Sequence, residues 1–400
     1  MTATRLASAT TYDNAVRQLT TRQSQLSKLQ EQLSASKKVL RPSDDPTGAA
    51  QAERAITRMA RVSTDQRALE LQRNAVSTAE STLGSATAAM AEFRTLVVNA
   101  GNATLSAADR ATIAQRLTTL RGQLLGYANA QDSNGQSLFG GLGSTAAPFV
   151  DNGSGVRFDG IAGQAGAASD TAIPSMLDGY GTWMDVPTGN GVFTVGQEAG
   201  TRNVYSDAGK VVDPSALTGH GYRVAFSVAN GVTTYDVIDT TTQATLKSGQ
   251  PYTAGQAIEF AGISLTASGV PADGNALTVA PSGKTSLFGV LDQAIAGVKD
   301  GGNSSGQLAQ NVAQSLVQID AASARLSASR GRAGDLLNQV DSISDRQSSR
   351  SLQLEADRSR AEDLDTIQAL SDFKTQQTAY SAALGSYAEI QKLSLFNFIG

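Results

Sequence analysis

The sequence contains no cysteine and a single histidine, His220. The first absence excludes disulfide staples and thiolate zinc sites, and the second excludes a histidine-rich metal cluster. Aromatic residues are scarce, at 5% of 400 positions, whereas glycine occurs 39 times. A large single globule usually carries more aromatic bulk, so the shortage points to long helices packed through Ala, Leu, Val and Ser. No run of about eighteen apolar residues is present to span a membrane. The stretch Met1 to Leu19 lacks the charged start and apolar run of a secretory signal, so any export is expected to use another route. Net charge is only −4, with neither a basic stripe for nucleic acid nor an acidic block. Membrane and nucleic acid are therefore not expected partners, and no cofactor is implied. The length exceeds one average domain, so two or more folded regions are expected.

What is present reads as helix, strand, helix. Tyr12, Val16, Leu19, Leu26 and Leu33 follow the alternating four-three spacing of a coiled-coil seam, with Gln23 and Gln30 in the remaining seam positions. The segment from Lys37 to Pro46 breaks this helix. In it Asp45 suits an N-cap and Pro46 the first helical position. A longer helix is expected from about Gly48 to Asn99, because Val62, Leu69, Val76, Leu83, Met90 and Val97 recur every seven residues. At about 1.5 Å per residue that segment would extend roughly 75 Å, too long for a compact domain. Gly101-Asn102 ends it. Ser106 with Asp109 forms a capping box for a third helix carrying Ile113, Leu117, Leu120, Leu124 and Tyr127, expected to stop near Asn134-Gly135.

From about Val150 to Ser282 the period changes to two. Tyr222 to Val228 and Val232 to Ile238 alternate, and Asn230-Gly231 between them is a strong hairpin signal. Further strands are expected at Val192–Val195, Ala257–Phe260, Ile263–Leu265 and Ala276–Val279, and a flexible Gly-rich loop from Gly160 to Ala168. Helix returns at Leu287, Leu291, Ile295 and Val298, ending at Asp300-Gly301-Gly302. A further long helix starts from about Gln307 through Val312, Leu316, Ile319, Leu326, Ala333, Leu337 and Val340, with Ser323 and Arg330 as polar exceptions. The charged stretch from Asp341 to Asp365 reads as a solvated face. The seam resumes at Leu370, Phe373, Tyr380, Leu384 and Tyr387 and closes on Ile390, Leu393, Leu395, Phe396 and Phe398.

The expected fold class is α+β: a long antiparallel α-helical rod, with N- and C-terminal heptad helices paired, and an inserted antiparallel β-domain. Residues 1–40 and 365–400 are expected to be terminal coiled-coil helices, 41–149 and 285–364 the helical rod, and 150–284 the β-domain. Five apolar seam residues between Tyr12 and Leu33 cannot offset the entropy of ordering so long a segment. The terminal helices are therefore expected to be disordered in the monomer and to order on assembly.

Chemistry is thinly represented. Asp44 and Asp45 make a poor metal pair beside their role at a helix start. Gly283-Lys284-Thr285 lacks the earlier glycine of a phosphate loop, since Thr278 stands there. His220 reads as a loop residue and Trp183 as a packing anchor of the β-domain. No catalytic and no metal-binding residue is assigned, and the chain is not expected to be an enzyme.

The stretch Leu33-Ser34-Ala35-Ser36-Lys37-Lys38-Val39-Leu40-Arg41-Pro42-Ser43-Asp44-Asp45-Pro46 resembles the segment after the first helix of the flagellin superfamily. Its Pro42-Ser43-Asp44-Asp45-Pro46 form looks like the hook-associated branch, since flagellins usually carry Ala after the paired Asp. Ala100–Ser106, Ala128–Asp132, Asn134–Gly141, Gln377–Leu384 and Leu393–Ile399 are similar to that group too, as is Gly269–Asn275 in the insert. The resemblance implies a structural subunit of the bacterial flagellum at the hook–filament junction. It further implies export through the flagellar type III channel without a cleaved signal, and assembly through the terminal helices. The implied partners are copies of itself in a ring, the first hook-associated protein on the hook side, flagellin on the filament side, and a cytoplasmic export chaperone covering the C-terminal helix. Three other readings stay open: a filament subunit proper, the first hook-associated protein, and a surface adhesin whose β-insert binds glycan.

Overall fold

The computed structural model describes residues 2–102, 104–143, 147–163, 173–174, 176–300 and 305–399, except for the side chains of 2–9, 11, 300, 305 and 390–399. Six α-helices carry most of the described chain: α1 (Thr2–Ala35), α2 (Pro46–Ala100), α3 (Ala107–Ala128), α4 (Leu287–Asp300), α5 (Ser305–Glu362) and α6 (Thr366–Ile399). The expected end of α4 at Gly301-Gly302 and most of the expected 160–168 loop lie outside the described residues. The chain divides into two compact units, residues 1–67 with 344–400, and residues 68–343.

In the larger unit the seven-residue period of α2 is a buried stripe. Leu69, Val76, Leu83, Met90 and Val97 are all 3% exposed or less, and they meet Leu117, Leu120 and Leu124 of α3, Leu287, Leu291 and Ile295 of α4, and Ile319, Leu326 and Val340 of α5 in one core. Ion pairs tie the outer rims, Arg94 to Asp320 and Arg330 to Glu80, each at 2.7 Å. Arg121 bridges Asp292 on α4 and Asp151. Hydrogen bonding to Asp292 raises the Arg121 guanidinium, and hydrogen bonding to Arg121 lowers the Asp151 carboxyl.

Helix α3 begins on the expected capping box, with the Ser106 hydroxyl accepting from the Asp109 N–H and the Asp109 carboxylate accepting from the Ser106 N–H. It stops at Ala128 rather than near Asn134-Gly135. The reason is Asn129, whose side chain accepts from Phe149 N–H at 2.9 Å and donates to Phe149 O at 2.8 Å, turning the backbone outward.

Among the described residues the strand region has thirteen strands. A hairpin of β1 (Phe149–Asp151) and β2 (Val156–Phe158) comes first, then β3 (Val186–Pro187), β4 (Phe193–Gln197), β5 (Val204–Ser206) and β6 (Lys210–Val211). There follow β7 (Tyr222–Ala229), β8 (Val232–Asp239), β9 (Thr245–Pro251), β10 (Ala257–Phe260), β11 (Ile263–Gly269), β12 (Ala276–Pro281) and β13 (Lys284–Thr285). One antiparallel sheet has the order β4-β12-β7-β8-β9, and a second has β10-β11-β5 with β6 also on β11. Both sheets turn apolar residues into a second core that includes Val195, Val224, Phe226, Val237, Leu265 and Val279. Alternation made β7 legible: Tyr222, Val224 and Phe226 are buried while Arg223 and Ser227 are not. This core rests on the start of α5, where buried Gln310 accepts from Ser206 N–H at 2.5 Å and Gln314 donates to the Val195 carbonyl.

Trp183 does not anchor the sheets. It lies on a π-helical turn, Tyr180–Met184, and packs fully buried against Phe139, Phe149 and Phe288 in the helical core. The chain passes through this core before it reaches β4, which adjacency in sequence does not reveal.

Candidate assembly interface

In the smaller unit α1 and α6 lie antiparallel, so that Tyr12 meets Tyr387 with ring centroids 5.7 Å apart. At the other end Lys37 bridges Asp363. The seam residues are aligned but poorly covered. Tyr12, Val16, Leu370 and Leu384 are 45%, 37%, 49% and 43% exposed. Leu19, Leu26, Leu33, Phe373, Tyr380 and Tyr387 are half-buried. Among the described side chains of these two helices only Ala369 is buried. Ile390, Leu393, Leu395, Phe396 and Phe398 belong to α6 but their side chains lie outside the described residues. Two helices can bury only the strip between them, and a heptad face needs further neighbours to leave water.

The loop between α1 and α2 is built from its own backbone. Ser36 takes the left-handed conformation, φ 54°, and Lys37 N–H reaches back to Gln32 O at 3.2 Å, closing α1. Arg41 N–H donates to Asp44 at 3.0 Å, Asp44 N–H donates to Arg41 O at 2.9 Å, and Lys28 pairs with Asp44 at 2.9 Å. The Lys28 hydrogen bond, with the Arg41 N–H, lowers the Asp44 carboxyl. Asp45 caps α2 by accepting from Thr47 and Gly48 N–H at 3.0 and 2.9 Å. Gly48 fits because its missing Cβ would lie 2.5 Å from Asp45 Oδ2 and 3.1 Å from Ala361 O. Pro42, Ser43 and Pro46 face solvent. The two aspartates are thus committed to helix and loop geometry. Among the described residues no group of three His, Cys, Asp or Glu could hold a metal ion, and no helix is long and apolar enough to cross a membrane.

The returning chain breaks at the same level, which the charged stretch from Asp341 to Asp365 concealed. Between α5 and α6, Lys38 N–H donates to Glu362 O at 2.8 Å and Leu364 N–H to Ser36 O at 3.1 Å. Asp365 then caps α6 by accepting from Ile367 and Gln368 N–H, both at 3.1 Å. Charged side chains tighten the crossing: Lys37 pairs with Glu362, and Arg358 reaches Glu355 at 2.7 Å and Glu362 at 3.3 Å. Sequence reasoning missed Arg358, Glu362 and Asp365. The legible signal was Asp365 directly before Thr366, an N-cap pattern inside a polar run.

Outside this region, His220 is a loop residue whose Nδ1 lies 2.7 Å from buried Asp239. Lys284 lies on β13 and pairs with Asp185.

Residues 7–144 match the family described as the bacterial flagellin N-terminal helical region. The matched stretch takes in most of α1 and all of α2 and α3. The chain is similar to flagellar hook-associated protein 3. It is 38% identical to that protein of Salmonella typhimurium over 147 residues, 36% of this chain and 46% of the relative. The match thus spans less than half the length of the curated relatives. The crystal structure of hook-associated protein 3 from Legionella pneumophila superposes with a TM-score of 0.71 at 26% identity, covering 76% of this chain and 97% of that one. The flagellar junction protein FlgL of the same organism superposes with a TM-score of 0.67 at 27% identity, covering 73% and 99%.

Proposed function

We propose that the chain is a structural adaptor of the bacterial flagellum that joins hook to filament. The observation that carries this reading is the open seam on α1 and α6, where aligned apolar residues stay exposed although the helices are already paired. Such a face is only half-covered in one copy and becomes core among several. The names of the relatives supply the setting: hook-associated protein 3 and flagellar junction protein.

On this reading the terminal segments 1–40 and 365–400 complete their folding as copies assemble into a ring. Segments 41–149 and 285–364 form the further helical domain, and 150–284 is the inserted β-domain. Tyr12, Val16, Leu19, Leu26, Leu33, Leu370, Phe373, Tyr380, Leu384 and Tyr387, with Ile390, Leu393, Leu395, Phe396 and Phe398, supply the contacts. The Pro42–Pro46 loop is the family's loop motif between α1 and α2. One side of the ring meets the first hook-associated protein and the other meets flagellin. The protein reaches this place through the flagellar export channel without a cleaved signal, its C-terminal helix covered by a chaperone beforehand, and no enzymatic step is part of the role.

Deletion of the gene, followed by electron microscopy of the cells and assay of the medium, tests the reading. The expected outcome is hooks without filaments and flagellin lost to the medium. Filaments of normal appearance would refute a junction role.

A further inference from the structure

The chain contains four Asn-Gly pairs, Asn134-Gly135, Asn152-Gly153, Asn190-Gly191 and Asn230-Gly231. This dipeptide is where a protein can modify itself. The glycine amide nitrogen, unhindered by a side chain, can attack the asparagine Cγ. In that step the nitrogen gives up its proton to solvent and forms an N–C bond, and the Cγ–Nδ2 bond breaks with release of ammonia. The resulting five-membered succinimide then takes up one water at either carbonyl and opens to aspartate or isoaspartate. The balance is one amide plus one water giving one carboxylate plus ammonium, with no oxidant or enzyme needed.

Whether a given pair reacts depends on its two reacting groups, and the structure separates the four on that point. In three pairs the nucleophile is already engaged. Gly135 N–H donates to Asp132 O at 3.1 Å, Gly153 N–H to Asp151 Oδ1 at 3.0 Å, and Gly191 N–H to Thr188 O at 3.2 Å. A donated amide proton is harder to lose, and the bond also fixes the nitrogen away from the side chain. In two of these pairs the electrophile is held as well. Asn152 Oδ1 accepts from Ser154 N–H at 3.1 Å and from its hydroxyl at 2.8 Å. Asn190 Oδ1 accepts from Val192 and Phe193 N–H, both at 3.0 Å, while its Nδ2 donates to Gly209 O at 3.1 Å.

Asn230-Gly231 differs on both counts. It forms the two-residue turn between β7 and β8, closed by the Ala229–Val232 pair, with φ of 52° and 76°. Among the described residues Gly231 N–H meets no acceptor and the Asn230 side chain has no partner. Both residues are exposed, and nothing stands within 4 Å of where a Cβ on Gly231 would be.

We infer that Asn230 is the chain's site of spontaneous deamidation and isoaspartate formation. The consequence is local and predictable. Isoaspartate routes the main chain through the former side chain and adds a methylene, so a two-residue turn with both φ positive no longer closes the Ala229–Val232 pair. β7 and β8 are inner, neighbouring strands of the five-stranded sheet, so the modification loosens the insert from its tip inward and leaves the helical core alone.

The test is to incubate the full chain at mildly alkaline pH and 37 °C, native and in denaturant, and follow all four Asn-Gly peptides by mass spectrometry with isoaspartyl methyltransferase labelling. In the native protein the Asn230 peptide is expected to convert roughly three- to tenfold faster than each of the others, the factor that one net hydrogen bond on the nucleophile is worth. In denaturant the four rates should converge. Equal native rates, a faster site among Asn134, Asn152 and Asn190, or a ranking that survives denaturation would each overturn the assignment.

Discussion

Asp45 and Asp365 perform the same task at the starts of α2 and α6 in the smaller unit. Each accepts two N–H groups at the start of a helix, at 2.9–3.1 Å. Replacing Asp45 with Ala should cost about 1 kcal/mol at the start of α2, read as faster amide exchange at Thr47 and Gly48 with α3 unaffected. Asp239 carries a different consequence. Burial works to raise its carboxyl, but the His220 hydrogen bond and the Thr242 and Thr241 N–H groups overcome this and hold it at about 2, below the ordinary 3.8. A depressed folded-state value means stability that is present above about pH 4 and is lost as pH falls through about 2. His220→Ala should therefore move the acid transition of the β-region to higher pH, as followed by circular dichroism or tyrosine fluorescence. An unchanged acid midpoint would count against the His220–Asp239 pair.

At the scale of the element, the same seven-residue signal had two outcomes. On α2 the periodic residues are buried because α3, α4 and α5 cover them, and there the sequence reading and the structure agree. On α1 and α6 the period identifies the face but says nothing about what covers it, and the described face is largely bare. Burial makes the difference measurable. Phe93, fully buried on α2, should lose about 3–5 kcal/mol as Phe93→Ala, visible as a lower denaturant midpoint for the larger unit. Other elements escaped because their cause is not periodic. β9 faces solvent along nearly its whole length, so no alternation marks it. The break between α5 and α6 sits in a charged run with no apolar seam to interrupt. Trp183 was given to the sheets by proximity in sequence, whereas its ring stacks on Phe288 of α4.

At the scale of the molecule, the two units call for separate measurements. Leu370→Asp with Leu384→Asp places charge on residues already 49% and 43% exposed, so the isolated chain should unfold as before. Assembly into higher-order species should be abolished, because a carboxylate buried between copies is left without a partner. Sedimentation and denaturant unfolding of the double variant check both halves. A lowered midpoint for the smaller unit of the isolated chain would mean that these positions serve the monomer after all. Limited proteolysis of dilute monomer should cut within α1 and α6 before the larger unit, and protection of those helices would oppose folding on assembly.

The strands β3 and β13 pair Val186 with Thr285 and Pro187 with Lys284, and everything in the second core lies between them in sequence. Two paired strands hold their backbones only about 5 Å apart. The helical region therefore meets residues 188–283 at two closely spaced ends and, beyond them, through Gln310 and Gln314 at the start of α5. A foreign domain with adjacent termini meets the spacing of those ends, but it leaves Gln310 and Gln314 without Ser206 and Val195, so those two glutamines need replacement along with the insert.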